Sequence, residues 1–291
     1  MKCRAWVMLA LCAALLAGSA CAETTLCGVA LSADATQVDL GDTKVKDYNA
    51  FMEELEQFPQ LVKVDMYKST IKRAQMAALT ERFPGIRFGW TLRMGDGKWR
   101  VRTDATAFST LNGTSDPAYK SDTFEVLKYC KDLVAIDLGH NAVKDISFLT
   151  NFPHLRVLIL ADNYVSDISP LAELKELEYV ELFMNHIKDI SPLANHEQLL
   201  DLNICRNEIE DVSPLYSCPK LERVWISHNG LTDEQKADLQ AALPKTLFNF
   251  DVYSSTFGGW REHDRYFVIK DMFASRVYQP FAQTTVGDDE A

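Results

Sequence analysis

Several things are scarce in this chain, and each scarcity removes a class of function. After residue 22 no apolar run reaches the ~20 residues that a membrane-spanning helix needs, so no transmembrane segment is expected. Basic charge is short. Thirty lysines and arginines stand against 41 aspartates and glutamates, a net charge of −11, which becomes −13 once Lys2 and Arg4 leave with the N-terminal leader. So acidic a surface does not displace the counterions of a nucleic-acid backbone, and nucleic acid is not an expected partner. The six histidines are scattered without metal-ligand spacing, so neither a metal nor another cofactor is expected. Of seven cysteines only Cys27, Cys130, Cys205 and Cys218 remain after the leader. What is left, 47% hydrophobic and 24% charged over 291 residues, describes a soluble chain with a sizeable core.

Residues 1–22 read as a secretory signal peptide. Lys2 and Arg4 form the charged start, Ala5 to Ala17 the apolar run, and Ala20-Cys21-Ala22 a small-x-small cleavage site before Glu23. The alternative is a lipoprotein signal with Cys21 as the lipidated residue, although Gly18 stands where that signal usually carries leucine. No wall-sorting signal follows the C-terminal tail. The expected location is extracellular, secreted or anchored through Cys21.

What is abundant is a repeat. From Leu133 the chain runs through four copies of a 22-residue unit, of which Leu155 to Glu176 (LRVLILADNYVSDISPLAELKE) is typical, and closes with a modified fifth. Leucines recur at 133, 155, 177, 199 and 221, and asparagines at Asn141, Asn163, Asn185, Asn207 and Asn229. A fixed period of this length signals a solenoid. Unit positions 1, 4, 6, 11, 14, 17 and 20 are apolar in 27 of 28 cases over the first four copies, with His196 the exception. Positions 4 and 6 alternate as a strand does. The asparagine sits where the chain leaves the strand, and its amide can donate and accept between neighbouring coils, forming a structural ladder. The motif D-[IV]-S-P-L follows at Asp167–Leu171, Asp189–Leu193 and Asp211–Leu215, where serine is expected as N-cap and proline as first residue of a short helical turn.

The pattern L-x-x-L-x-L-x-x-N-x-I-x-D-I-S-P-L resembles the leucine-rich repeat family, specifically the bacterial 22-residue type of internalins. The resemblance implies an α/β solenoid, a leucine-rich repeat horseshoe with a parallel sheet on the concave face and short 3₁₀ or α turns on the convex side. It implies binding, mostly to proteins, and supplies no catalytic residues to carry over.

The expected organisation is a signal peptide (1–22), an N-terminal cap (23–34), degenerate repeats with helices (35–92), a hairpin and loop insertion (93–126), regular repeats (127–250), a C-terminal cap (251–278) and a disordered tail (279–291). In the degenerate part Val38, Leu40 and Val45 match Val64, Met66 and Ile71 at a step of 26, and helical spacing covers 47–58 and 72–83. Ile86–Leu92 reads as the strand of a third coil. Arg93–Arg102 reads as a hairpin turning at Gly95-Asp96-Gly97, and 112–116 as a loop. Thr232–Leu243 is a longer helix, and Phe248, Phe250 and Val252 alternate as a last strand. Gly258–Tyr278 is expected to close the open end of the core, as repeat proteins require. Cys130 and Cys218 hold equivalent positions four coils apart, ~19 Å at ~4.8 Å per coil, beyond the ~7 Å Cα separation of a disulfide; free thiols are expected.

No catalytic constellation emerges. The nearest is Cys205 beside His228 with Asp201 close by, which would make a cysteine nucleophile only if the imidazole reached the thiol. The outward positions of the strands say more. Position 3 gives Ala135, Val157, Tyr179, Asp201 and Arg223; position 5 gives Asp137, Ile159, Glu181, Asn203 and Trp225; position 8 gives His140, Asp162, Met184, Arg206 and His228. Stacking gathers Tyr179, Phe183, Met184 and Trp225 into one patch rimmed by Glu181, Asp201, Arg206, Arg223 and His228, the composition of a protein-binding hot spot. The same rings would serve as a packed sheet surface or be covered by the cap. Truncating Trp225 or Phe183 is expected to cost binding and little stability. The expectation is a monomeric, non-enzymatic binding protein for a protein ligand. The alternatives are a glycan or wall-binding module stacking sugars on Trp225 and Tyr179, and a hydrolase using Cys205.

Overall fold

The computed structural model describes residues 24–110 and 118–282. The expected leader, the loop expected at 112–116 and residues 283–291 of the expected disordered tail lie outside it. Two short strands, β1 (Thr24–Leu26) and β2 (Val29–Leu31), pair antiparallel at the start. Then β3 (Gln37–Asp39), α1 (Tyr48–Leu55), β4 (Lys63–Asp65), α2 (Arg73–Arg82) and β5 (Arg87–Gly89) form coils whose strands make a three-stranded parallel sheet. The register pairs Val38 with Val64, the step of 26 in the sequence. Asp47 caps α1 by accepting from the backbone N–H groups of Asn49 and Ala50.

The third strand is shorter than the alternation suggests. It ends at Gly89, and a hairpin of β6 (Thr91–Met94) with β7 (Trp99–Arg102) follows at once. Its turn holds Gly95, Asp96 and Gly97 at positive φ. A Cβ on Gly95 would lie 2.4 Å from the Trp99 ring, so glycine is needed there for both conformation and space.

A seven-stranded parallel sheet carries the rest. The period does not announce its first strand, β8 (Ala107–Ser109), inside the stretch expected to be an insertion. After α3 (Ser121–Phe124) come β9 (Ala135–Asp137), β10 (Val157–Ile159), β11 (Tyr179–Glu181), β12 (Asp201–Asn203) and β13 (Arg223–Trp225). Val157 pairs with Tyr179, Tyr179 with Asp201 and Asp201 with Arg223, so the 22-residue period of the sequence is the register of the sheet. The helix α4 (Asp233–Ala242) then lengthens one coil, and β14 (Leu247–Asn249) closes the sheet. This is a curved parallel sheet backed by short helices and 3₁₀ turns, the expected solenoid.

The inward leucines, isoleucines and valines are buried in one continuous core. The asparagines bind coil to coil. In Asn163, Oδ1 accepts from Val143 N (2.9 Å), while Nδ2 lies 2.9, 3.1 and 3.2 Å from the carbonyls of Leu138, Leu160 and Ala161. Asn185 and Asn207 repeat the pattern one and two coils on. His196, the polar exception, is fully buried between the carbonyls of Leu193 and Leu171, and burial pushes its pKa down. The next residue of that series, Cys218, donates its thiol to the Leu193 carbonyl.

One detail of the D-I-S-P-L turn differs from expectation. Serine opens the 3₁₀ turn rather than capping it: in Ser169–Glu173, the Ser169 N–H donates to Asp167 Oδ1 at 2.8 Å. The aspartate two residues earlier supplies the acceptor, and that bond lowers its pKa. Ser191 and Ser213 use Asp189 and Asp211 in the same way. The four described cysteines are free.

The C-terminal segment departs most from the sequence reading. Residues 251–282, with α5 (Asp264–Ser275), do not pack into the end of the main core. Their buried apolar side chains, Val252, Trp260, Ile269, Met272 and Phe273, join a second cluster with Ala135, Val157, Ile159, Tyr179, Phe183 and Trp225. After β14 the chain doubles back and crosses the concave face from the last coil to the first. There the Arg276 carbonyl accepts from Thr106 and Ala107 N, and Tyr278 N donates to Thr106 Oγ1.

Candidate binding surface

The outward side chains of β9–β13 leave the sheet on the side opposite the core, as strand alternation requires. Tyr179, Glu181, Phe183, Asp201, Arg223 and Trp225 are brought together there. All six are buried beneath the C-terminal strap. Met184, Arg206 and His228 remain exposed along one edge of the sheet.

Three layers of contact hold the strap. At the β12–β13 end, side chains of the face meet backbone carbonyls of the crossing segment. Asn203 Nδ2 donates to Ser255 O (2.6 Å), Arg206 Nη2 to Tyr253 O (2.8 Å) and Trp225 Nε1 to Phe257 O (2.7 Å). Val252 O lies 3.3 Å from Ser227 Oγ and 3.0 Å from His228 Nε2. In the middle the face is acidic and the strap supplies donors. Trp260 Nε1 donates to Glu181 Oε1 at 2.7 Å, beside the Tyr179 hydroxyl bonded to the same oxygen. Arg265 grips Asp201 with Nε at 2.5 Å and Nη2 at 3.0 Å, and Nη2 reaches Glu222 at 2.6 Å. Arg223 reaches Asp201 from its own strand at 2.6 Å. Toward β8 the contact is apolar: Ile269, Met272 and Phe273 of α5 meet Ala107, Ala135, Val157 and Ile159.

Burial sets the electrostatics. It raises the Glu181 carboxyl above the usual carboxylate range, although the Tyr179 and Trp260 donors pull it back. Burial raises Asp137 to about 6, partly offset by bonds from Gly139 N and Ser109 Oγ. Arg223 Nη2 and Ser255 Oγ are buried with no hydrogen-bond partner.

At the open edge, position 8 holds its five residues at φ between 54° and 57°. Such left-handed turns are uncommon for residues other than glycine, asparagine and aspartate. They splay His140, Asp162, Met184, Arg206 and His228 sideways. Together with Tyr164 and His186, whose rings stack at 6.0 Å, all but His228 line a recess of about 510 Å³. The only cue to the left-handed turn in the sequence is His140, Asp162 and His228, residue types that tolerate this conformation better than most, and Met184 and Arg206 obscure it.

The enzymatic constellation does not form. Cys205 Sγ accepts from Ser227 Oγ at 3.2 Å, and burial raises its thiol pKa. The His228 imidazole is engaged by Val252, and Asp201 by two arginines. Among the described residues no three His, Cys, Asp or Glu side chains gather as a metal would need. No described helix is long and apolar enough to cross a membrane.

Comparison with known proteins agrees with the repeat reading. A model of leucine-rich repeats (two copies) matches residues 131–173 and again 153–195. No match was found among curated proteins. Among solved structures, the chain is similar to an internalin C2 from Listeria monocytogenes, at 22% identity and TM-score 0.44, over 79% of this chain and 91% of that one. An internalin (inlF) of the same organism has 20% identity and TM-score 0.44, over 69% and 66%. A leucine-rich repeat protein of Leptospira interrogans has 14% identity and TM-score 0.39, over 74% and 54%. The sheet register, the asparagine ladder and the matched repeats at 131–195 together make the fold a leucine-rich repeat solenoid.

Proposed function

We propose that the chain is a non-catalytic binding protein, secreted or held at the cell surface, that engages a protein ligand through the concave side of its regular coils. One observation carries this reading: that side already holds a polypeptide, taking its carbonyls with Asn203, Arg206 and Trp225 and its side-chain donors with Glu181 and Asp201. Such a set of groups suits a peptide backbone and its basic side chains. Trp225, one of the two rings a sugar would stack on, spends its indole N–H on the Phe257 carbonyl, so the protein ligand is preferred to a glycan. With the strap in place, a ligand meets the open edge first, at Tyr164, Met184 and His186. Tyr164 is 56% and Met184 43% exposed. The signal-peptide pattern of residues 1–22 supports an extracellular place of action, and the chain acts as a monomer in this reading.

The test is positional. A photo-crosslinking residue is placed at Met184, or on the convex side at Lys175 or Lys188, in the secreted chain exposed to its natural surroundings. One discrete protein adduct should form from Met184 and from neither lysine position. Adducts of equal yield from the convex positions would overturn the assignment.

A further inference from the structure

The strap meets the concave face as a bound ligand does. The regular core is complete without it, since every buried side chain of the main cluster comes from residues 26–243. What the strap covers is polar at its centre: Glu181, Asp201 and Arg223. That charged centre regains hydration when uncovered, while the apolar flanks at Val157, Ile159 and Trp225 favour another cover over water. The face holds the link into the strap by its backbone carbonyls, of Tyr253, Ser255 and Phe257, and leaves its large side chains outside. Tyr253 and Phe257 are 84% and 60% exposed, and Gly258 and Gly259 follow at φ +76° and +93°.

The fit is also selective and incomplete. Without the strap the centre of the face is acidic, with Asp137, Glu181, Asp201 and the neighbouring Glu222 against Arg223. The strap answers with an indole N–H and, five residues on, a guanidinium that spans Asp201 and Glu222. Yet Arg223 Nη2 stays buried without a partner, so a polypeptide offering one more acceptor there would bind better than the resident segment.

We propose that the concave face is a receptor for a polypeptide segment that presents an indole from a turn and, five residues on, an arginine from the first turn of a helix, and that residues 258–278 are its resident, exchangeable occupant. This deepens the protein-binding reading and rests on it. The partner is such a turn-helix segment of another protein, which displaces the strap by offering an indole N–H to Glu181 and a guanidinium to Asp201.

The test needs no knowledge of the natural ligand. A protease recognition sequence replaces residues 253–257 of the full chain, the link is cut, and a fluorescent peptide of residues 258–282 is added. Anisotropy should report saturable binding to the cut protein, competed by the unlabelled peptide. Uncut protein should bind at least ten-fold more weakly. Peptides carrying Trp260→Ala or Arg265→Ala should compete at least ten-fold more weakly than the parent sequence. Three results overturn the proposal: the cut protein loses its folded circular-dichroism signal, which makes the strap part of the fold; the cut protein keeps its own strap and takes up no peptide; or both variant peptides compete as well as the parent. The positional crosslinking at Met184 is independent of peptide exchange, so either result can fail while the other stands.

Discussion

The two parallel sheets use the same architecture and meet opposite fates on their concave side. In β3–β5 the outward residues Gln37, Asp39, Lys63, Asp65 and Arg87 are exposed or half-buried, while Val38, Val64 and Phe88 face the core. In β9–β13 every strand residue is buried, outward and inward alike. A solenoid coil must bury one face of its strand to be stable; nothing in the repeat demands burial of the other. The second burial in the regular coils is therefore additional to what the repeat requires, and the outward residues match it. Apart from the buried Gly89 they are charged or amide-bearing in the first sheet, and they include Ala135, Val157, Ile159, Tyr179 and Trp225 in the second.

The sharpest way to break this comparison is to unseat the strap. Arg265→Ala leaves Asp201 with only one of its two buried cationic partners. Its expected cost is about 3–5 kcal/mol of strap docking, the range for breaking a buried pair. Alone in water a helix of 12 residues is marginal, so the amides of α5 should exchange with deuterium as soon as the strap lifts. Hydrogen exchange should therefore show lost protection in 264–275, with the amides of β10–β12 still protected. Trp225→Ala should behave alike at about 3–5 kcal/mol. This reverses the sequence expectation of a small stability cost, because the indole donates to Phe257 O and packs 5.2 Å from the Trp260 ring. Unchanged α5 protection in both variants would mean that the strap does not depend on these contacts.

Acidity gives a graded version. Asp137 has a pKa near 6 when folded, against 3.8 when free, chiefly because it is buried. Between about pH 4 and pH 6 the folded form keeps a proton that the unfolded chain has lost. Stability from this group therefore falls as pH rises through that window, by up to about 3 kcal/mol for a shift of about two units. Asp137→Asn should raise stability at pH 7.5 and flatten that part of the pH profile. The measurement is urea unfolding across pH 4–8. A profile unaltered by the substitution would mean that Asp137 is hydrated, and the face less covered than its burial indicates.

Much of this could be read in advance, for a physical reason. A repeat states each inward position several times, so the core, the parallel register and the asparagine ladder are over-determined from 133 onward. The strap is stated once. Its buried stripe in α5, Arg265, Ile269, Met272 and Phe273, is headed by an arginine, which reads as solvent-facing until its acidic partners are known. The segment was thus expected over the end of the core. Of the nine candidate residues, six share the covered concave side and three lie along its open edge. Their division into six covered and three edge positions depends on the strap and on the left-handed turn at position 8, and the repeat pattern specifies neither. β8 was hidden because it precedes the regular period by an irregular step of 28, Ala107 to Ala135.

Within the legible part, the ladder provides a smaller effect. Asn163→Ala or Asn185→Ala leaves buried turn groups unpaired, at about 1–3 kcal/mol each. Both should lower the thermal midpoint of the whole solenoid without selectively freeing α5, which separates coil-to-coil stability from strap docking. Thermal unfolding unchanged in both would remove the ladder from the account.

The smallest expected effects lie on the open N-terminal face, where they test the comparison from its other side. Gln37, Lys63 and Arg87 occupy there the outward position that Tyr179 and Arg223 hold in the regular coils. Lys63 pairs with Asp65 at 2.8 Å with 43% of its side chain exposed, and Arg87 pairs with Asp132 at 52% exposure. Exposed pairs of this kind contribute about 0–1 kcal/mol, since water and salt screen both charges. Gln37→Ala, Lys63→Ala and Arg87→Ala should each change stability by no more than about 0.5 kcal/mol and leave α5 protection untouched. A cost near that of Trp225→Ala at any of them would mean that something covers the N-terminal face as well. In that case the burial of β9–β13 would be a general property of this solenoid, and the strap would lose its standing as the ligand of one region.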